Sequence, residues 1–399
     1  MMSHPSVSAV LAEPAVVRAF TALDALSAET TREQITICEI AAPPFGEQAR
    51  AEFFRRRFCE LGLEAVHIDP EGNVIGLRPG RRDQKVIVVS AHLDTIFPET
   101  EIRVRSEGGR LYAPGISDNA VGLAGLLAII KVLNQAEVAT GATLVFLATV
   151  GEEGEGNLRG VRHFFLASSW RERVAAFLAL EGSGIERIIS RALGSRRYRL
   201  TFRGPGGHSW GDFGTSNPIH ALAQVAVRLL EYPLPEIPAT SLSITRIAGG
   251  EAINAIPREA SMDLDVRSVS SAELEAIEAF LHRLVQTVVE QQRPRRASSG
   301  GLRAEIERRG ERPAAEVSPD ADIVRIAIEA TRAVGALPSL ECASTDANIP
   351  IALGIPALAI GVGGSAGNVH TLSEWFDPRG REQGLKRALL MILALAGLG

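Results

Sequence analysis

The sequence predicts an α/β protein with a second, α+β domain inserted into it, and three observations carry that prediction. Apolar runs of strand length alternate with helical stretches from KVIVVSAHLD (residues 85–94) to AAFLALEG (175–182), the pattern of helices packed on a sheet. Near residue 194 this alternation gives way to the order β-α-β-β-α-β, and it resumes after a polar segment from Arg308 to Pro319. The 399 residues also exceed what one core comfortably serves, so two domains are expected.

The elements follow in order. Residues 15 to 63 read as helical, broken at Ala42-Pro43-Pro44-Phe45-Gly46, and AEFFRRRFCELGLEAV has apolar residues at helical spacing with Gly62 as a stop. KVIVVSAHLD is a strand, Asp118 to Leu133 a helix, ATLVFLATVGEE a strand, RGVRHFFLAS a helix and AAFLALEG a strand. In the insertion RRYRLTFRG, SLSITRIAGG, REASMDLDVRS and GLRAEIERRG read as strands. PIHALAQVAVRLLEY and AELEAIEAFLHRLVQTVVEQQ are its helices, and the order is that of a ferredoxin-like (α+β) domain. The predicted boundaries are 1–193 with 312–399 for the first domain and 194–311 for the insertion. The helix DADIVRIAIEATRAVG, the strand PALAIGV and a last helix from Gly384 onward close the chain, without internal repeats.

Composition narrows the class of function. Hydrophobic residues make up 46% and charged residues 22%, ordinary for a water-soluble globular chain. A formal charge of −5 argues against a nucleic-acid binder, which needs a basic face. Cys38, Cys59 and Cys342 are scattered and odd in number, so neither a disulfide framework nor a metal knuckle is visible. No signal peptide or apolar span is apparent, and a cytoplasmic location is the expectation.

The chemistry gathers at strand ends. His92 and Asp94 end the first strand and, two residues apart, share one face of it. Glu152 and Glu153 end the second, Glu181 the third, and His370 follows PALAIGV after the loop GGSAGN. Asp118 starts a helix after APGIS. In an open α/β sheet ligands bind at the carboxyl ends of the strands, so two histidines and five carboxylates become candidates for one crevice. Each has a plain alternative: a satisfied histidine for His92, a helix cap for Asp118, a solvated loop end for Glu152-Glu153. Together such groups would repel unless one or two divalent cations neutralised them. Imidazole with carboxylate suits Zn²⁺, with Co²⁺ or Mn²⁺ as alternatives. A neighbouring carboxylate that is not a ligand could take a proton from activated water.

SAHLDTIFP, APGISDNAVGLAG, ATVGEEGEG, LEGSG, GPGGHSWG, NAIP with DVR, STDANIP and GNVHTLSEW carry a family resemblance. The chain resembles the dinuclear zinc hydrolases that include aminoacylase, acetylornithine deacetylase, succinyl-diaminopimelate desuccinylase, carboxypeptidase G and tripeptidase T. The motifs come in family order from about residue 30 to the end. The resemblance implies a zinc-exopeptidase-like catalytic domain with an inserted lid and dimerisation domain, hence a homodimer. It implies that His92 and Glu181 bind one metal, Glu153 and His370 the other, and that Asp118 bridges both. Many members carry aspartate at the position of Glu181, and glutamate is also known there. Asp94 would orient the His92 ring. Glu152 would be the general acid/base that activates a metal-bridging water and protonates the leaving amine. His208 would help stabilise the oxyanion, often across the dimer interface.

Asn254 and Arg267 look like contacts to a substrate carboxylate, for which an arginine fork is suited. Gly363 and Gly364 could present backbone N–H groups to a substrate carboxylate, and Ser344, Thr345 and Asp346 could line the pocket. Cys342 reads as inert, and Glu374, four residues after His370, as solvated. A hinge is expected near residue 194 and in 308–319.

The wording FLATVGEEGEGNLRGVRHFF and RALGSRRYRLTFRGPGGHSWG is most similar to the tripeptidase T-like branch. An exopeptidase acting on short peptides is therefore expected, with an N-acyl-amino-acid deacylase as the alternative. A non-catalytic binding protein on the same scaffold is a third reading, against which stands the presence of Glu152 and every expected ligand.

Overall fold

A computed structural model of the chain describes residues 5–292 and 301–399. It forms two compact units, one running to Ala192 and continuing over Glu316–Gly399, the other Leu193–Ala315. The second unit ends later than residue 311 because its last strand, Arg303–Arg312, stays paired through Arg312 with Ser195.

Among the described residues, the first unit is built on a mixed nine-stranded sheet. Four strands at its centre, Ala142–Thr149, Arg82–His92, Val174–Leu180 and Ala357–Ile360, run parallel and side by side. Their near-continuous apolar runs fit burial on both faces. Strands Val74–Arg78 and Glu64–Ile68 extend one side, antiparallel. Arg187–Ala192, also antiparallel, extends the other and carries Ser339–Ala343 beyond it. Parallel register puts the carboxyl ends of the central strands on one edge, so His92, the turn after Thr149 and the turn after Leu180 are neighbours by topology.

Among the helices that pack on these strands, Ala120–Gln135 and Arg381–Ala396 lie against the central ones. Both are apolar around most of their circumference, as suits helices inside a core. The last helix starts at Arg381, three residues before the expected Gly384. The expected helix 159–168 is α-helical only over Arg159–Arg162 and then widens over His163–Ala167. Asn119, not Asp118, caps the helix Ala120–Gln135: its side chain accepts the Gly122 N–H at 3.1 Å. A cap reading for Asp118 is thereby removed. The Asp118–Asn119 peptide bond is cis.

The second unit pairs its strands in the order Thr240–Gly249, Glu259–Ser268, Gly194–Arg203, Arg303–Arg312, all antiparallel. In chain order this is 2-3-1-4, the ferredoxin-like arrangement. Helices Pro218–Leu230 and Ser271–Gln291 cover one face through Tyr198, Leu200, Phe202, Met262, Leu264 and Val266. The opposite face carries alternating charge, with Arg199 bidentate on Asp263 at 2.7 Å for both bonds.

Gly122 lets the helix Ala120–Gln135 approach the end of strand Val174–Leu180. A Cβ there would lie 2.3 Å from Asn119 Oδ1 and 2.4 Å from the Leu180 carbonyl oxygen. We expect Gly122→Ala to destabilise the fold by about 1–3 kcal/mol through this overpacking. Urea denaturation measures it, and an unchanged midpoint would contradict the packing described.

Candidate metal centre

The strand Arg82–His92 delivers His92 fully buried, at 1% exposure. Its Nδ1 lies 3.0 Å from the main-chain carbonyl oxygen of Asp94. A carbonyl only accepts, so Nδ1 carries the hydrogen and Nε2 is left as the working atom. The Asp94 carboxylate Oδ1 stands 3.7 Å from the same nitrogen, too far for a hydrogen bond. The hydrogen bond from the ring thus goes to the Asp94 backbone, while the carboxylate faces the same nitrogen at ion-pair distance. That carboxylate accepts the main-chain N–H groups of Glu152 at 2.9 Å and Glu153 at 2.7 Å. Burial raises the Asp94 carboxyl, but His92 and these N–H groups outweigh it and hold it below the ordinary range.

His92 Nε2 faces two carboxylates, Asp118 Oδ1 at 3.1 Å and Glu181 Oε1 at 3.2 Å. On the other side of Asp118, His370 Nε2 lies 2.9 Å from Oδ2 and 2.9 Å from Glu153 Oε1. One carboxylate thus turns each oxygen to a different imidazole. His370 reaches it from a left-handed backbone, φ 65°, unusual for a residue with a side chain. The Glu152 carboxylate belongs to the same cluster, with donor atoms of His92, Glu152 and Glu153 all within 4.8 Å of one another.

The donor set fits divalent cations. With Nδ1 of His92 committed, Nε2 would aim a lone pair at two anionic oxygens unless a proton or a cation stood between them. Nitrogen and oxygen ligands about 2 Å from one tetrahedral zinc stand roughly 3.3 Å apart, close to the spacings observed. The electrostatics agree. Burial lowers the His92 pKa, but Glu181, Asp118 and Asp94 outweigh it and hold it well above its ordinary value. Hydrogen bonds to Asp118 and Glu153 push His370 up to about 10. A site that favours a proton so strongly is one that favours positive charge. Two such groups meet at Asp118: His92-Asp118-Glu181 and Asp118-Glu153-His370.

Residues overlooked in the sequence hold this cluster. Asn119 donates from Nδ2 to the Leu180 carbonyl at 2.9 Å and accepts the Gly182 N–H at 3.2 Å, bracketing Glu181. Buried Asn73 accepts the Val150 N–H at 3.1 Å and donates to the Gly160 carbonyl at 2.9 Å, which fixes the start of the Glu152 turn. Buried Arg50 donates to the Leu93 carbonyl at 2.6 Å and the Ile40 carbonyl at 2.9 Å. Glu374, expected in solvent, is fully buried and bonded to the turn before Asp118. Only its spacing from His370 and the Asp-Asn pair at a helix start could have drawn notice.

The expected substrate contacts of the first unit carry hydrogen bonds within the fold. Thr345 and Asp346 are buried at 3% and 1%. Thr345 caps a turn, its hydroxyl accepting the Ala347 N–H at 3.1 Å. Asp346 takes the Thr149 hydroxyl at 2.5 Å beneath the strand edge, where burial pushes its carboxyl up to about 7. Gly363 has φ 84° and its N–H donates to the Gly184 carbonyl at 3.0 Å, so this donor is already committed. Gly364 accepts the Gly184 N–H at 3.2 Å, and a Cβ on it would strike Phe376. GGSAGN is a hairpin start: Ser365–Gly367 pairs with Trp375–Asp377. Cys342 is half-buried, and burial raises its pKa.

In the second unit the pairing of Gly207–His208 with Ala255–Ile256 brings His208 beside Asn254, whose carbonyl accepts the Ser209 N–H at 2.9 Å. His208 Nδ1 accepts the N–H groups of Trp210 and Gly211, both at 3.2 Å, which leaves Nε2–H as an outward donor. Arg267 lies near the far end of the strand Glu259–Ser268, roughly 25 Å along it from the Asn254 end at the rise of extended chain. It pairs with Asp265 at 2.7 Å. Asn254 and Arg267 of one chain therefore stand too far apart to grip the same small carboxylate.

Comparison with known proteins follows the same lines. The sequence pattern of peptidase family M20/M25/M40 matches residues 88–396. The chain belongs to this family. As a member of the M20/M25/M40 family with this donor set, it is a metal-dependent hydrolase acting in peptidase or amidohydrolase chemistry. It is 25% identical over 358 residues to the uncharacterized protein YqjE of Bacillus subtilis, covering 86% of this chain and 91% of that one. It is 24% identical over 220 residues to the succinyl-diaminopimelate desuccinylase of Cupriavidus necator, covering 51% of this chain and 57% of the desuccinylase. A tripeptidase of Staphylococcus aureus Mu50 shares the fold, with a TM-score of 0.77 at 19% identity over 93% of this chain and 98% of the tripeptidase. Among the described residues no helix is long and apolar enough to cross a membrane.

Two outcomes test the centre. His92→Ala is expected to lower the metal content per chain after dialysis, measured by elemental analysis; an unchanged content would remove His92 from the ligands. Asp94→Asn sets an amide NH₂ against one of two backbone N–H groups and should cost about 1–3 kcal/mol of stability. Denaturation in the presence of metal measures that cost.

Proposed function

We propose that the chain is a metal-dependent exopeptidase of short peptides, with Glu152 as its general acid/base. The observation that carries this is the Asp118 carboxylate shared between His92 and His370, with buried Glu152 in the same cluster. His92 with Glu181, and Glu153 with His370, would hold a pair of divalent cations about Asp118, with Zn²⁺ first choice and Co²⁺ or Mn²⁺ next. When bound, the pair supplies Lewis-acid chemistry: it lowers the pKa of water and polarises the scissile carbonyl.

The remaining work falls to this chain's side chains. Glu152 takes a proton from the attacking water as the new C–O bond forms. It returns that proton to the departing nitrogen as the C–N bond breaks, so the amide and water become a carboxylic acid and an amine. Asp94 holds the Glu152 backbone through its N–H, and so limits where that carboxylate can swing. His208, with its hydrogen on Nε2, is the proposed donor to the oxyanion. Arg267 and Asn254 remain proposed substrate contacts, as separate sites within one chain.

The peptidase reading is supported by likeness to the tripeptidase over nearly its whole length. The matched desuccinylase favours a second reading, removal of an acyl group from an N-acyl amino acid. A homodimer through the inserted unit is part of the proposal. The strand Thr240–Gly249 pairs on one side only among the described residues, and Val227 and Leu230 of the neighbouring helix are 58% and 65% exposed. A cytoplasmic location is likewise proposed, with three free cysteines in its favour.

A paired assay decides between the readings. Metal-loaded protein is offered unblocked di- and tripeptides in one panel and N-acetyl and N-succinyl amino acids in another, each with and without chelator. We expect chelator-sensitive cleavage of the free peptides; cleavage of the acylated panel alone would make the chain a deacylase. Glu152→Gln should keep its metals and lose about 10²–10⁴-fold in turnover. Near-normal turnover would remove Glu152 from this role. Mixing inactive Glu152→Gln and His208→Ala chains should restore activity where His208 serves its partner, and no recovery would confine His208 to its own chain.

A further inference from the structure

Glu374 has no assigned part in the chemistry above, yet it is fully buried, and among the described residues its bonded partners include no basic side chain. Its carboxylate sits in the turn that leads to Asp118 and accepts four hydrogens. Oε1 takes the Ser117 N–H at 2.7 Å, the Ser117 hydroxyl at 2.7 Å and the Asp118 N–H at 3.0 Å. Oε2 takes the Gly115 N–H at 3.1 Å. The Glu374 carbonyl accepts the Ala113 N–H at 3.1 Å. Residues 113–119 lie between the strand Arg110–Tyr112 and the helix Ala120–Gln135. Bonds to this one side chain replace the ladder that such a segment lacks.

The same residue ties two ligand loops together. Glu374 follows His370 by four positions, and the strand Trp375–Asp377 after it pairs with Arg110–Tyr112 just before the turn. The group that fixes the Asp118 backbone thus belongs to the segment that carries His370. We propose that Glu374 is a positioning residue that holds the Asp118 carboxylate with one oxygen toward each histidine, and so makes the two cation positions a linked pair. The proposal rests on reading Asp118 as a shared ligand.

An acid is needed here, not merely a polar group. An amide of the same shape offers one acceptor oxygen and one NH₂. Turned either way, it sets a donor against the Gly115 N–H or against the Ser117 and Asp118 N–H groups, leaving a buried donor without an acceptor. The turn must shift to relieve this, and Asp118 shifts with it.

The test uses the full chain, stripped of metal and titrated with Mn²⁺ alone. Calorimetry reads stoichiometry and affinity. Electron paramagnetic resonance reads the magnetic coupling between two Mn²⁺ ions that share a ligand, a signature that a role in folding alone would not move. Melting of the metal-free chains is followed alongside. Wild type is expected to bind a coupled pair. Glu374→Gln is expected to bind the second ion at least about tenfold more weakly, with the spectrum of isolated ions. Ser117→Ala removes one donor but keeps the acid, and should shift affinity less, in the same direction. A Glu374→Gln chain that binds a coupled pair at wild-type affinity overturns the proposal, whether or not its melting point falls. If that variant does not fold, unaltered affinity and coupling in Ser117→Ala overturn it. A wild-type chain that binds no coupled pair would instead sink the shared-ligand reading on which the proposal stands.

Discussion

One carboxylate offered to two imidazoles is the constraint from which the rest of the centre follows. Asp118 turns Oδ1 to His92 and Oδ2 to His370, and each histidine meets a further carboxylate, Glu181 or Glu153. So many anionic oxygens so close together are unfavourable without positive charge among them. The fold accepts that cost by placing them where four parallel strands end on a common edge. A sheet edge of this kind supplies fixed positions that a loop alone would not.

The supporting residues share one way of working. Asp94, Asn119, Asn73, Arg50 and Glu374 are all buried, and in each case hydrogen bonds go to main-chain groups of the ligand-bearing turns. A buried polar side chain is stable only when satisfied, so each such residue and its turn hold one another in place. The side chains of His92, Asp118, Glu153, Glu181 and His370 are then free to face one another. The division also explains why Asp94 acts on His92 through its carbonyl: its carboxylate is occupied by the N–H groups of Glu152 and Glu153. One residue so coordinates the histidine of one loop with the glutamates of the next.

The second unit shows a different economy. Its covered face is apolar and its other face carries alternating charges in cross-strand pairs, such as Arg199 with Asp263 and Arg197 with Asp265. His208 and Asn254 gather at one end of its strands and Arg267 stands near the other. The backbone N–H groups that fix the His208 tautomer come from its own tight loop, so this donor is set locally.

What the sequence by itself determined is whatever depends on periodicity and on chemistry that is incomplete in isolation. The apolar strand runs, the β-α-β-β-α-β order of the insertion and the six groups His92, Asp118, Glu152, Glu153, Glu181 and His370 were legible. Acids and imidazoles that repeatedly close apolar strands need a shared counter-charge, and that need is visible before any fold is known. Tertiary structure alone decided the partners of short polar side chains. Glu374 resembles any solvated glutamate until the strand Trp375–Asp377 folds it against a turn more than two hundred residues earlier. Thr345, Asp346 and Gly363 read as pocket residues through their motifs, and only the fold shows the hydrogen bonds that tie each of them to its neighbours. Hydrogen-bond direction has no period in sequence; it is settled only when distant main-chain groups arrive and either leave a side chain its freedom or take it.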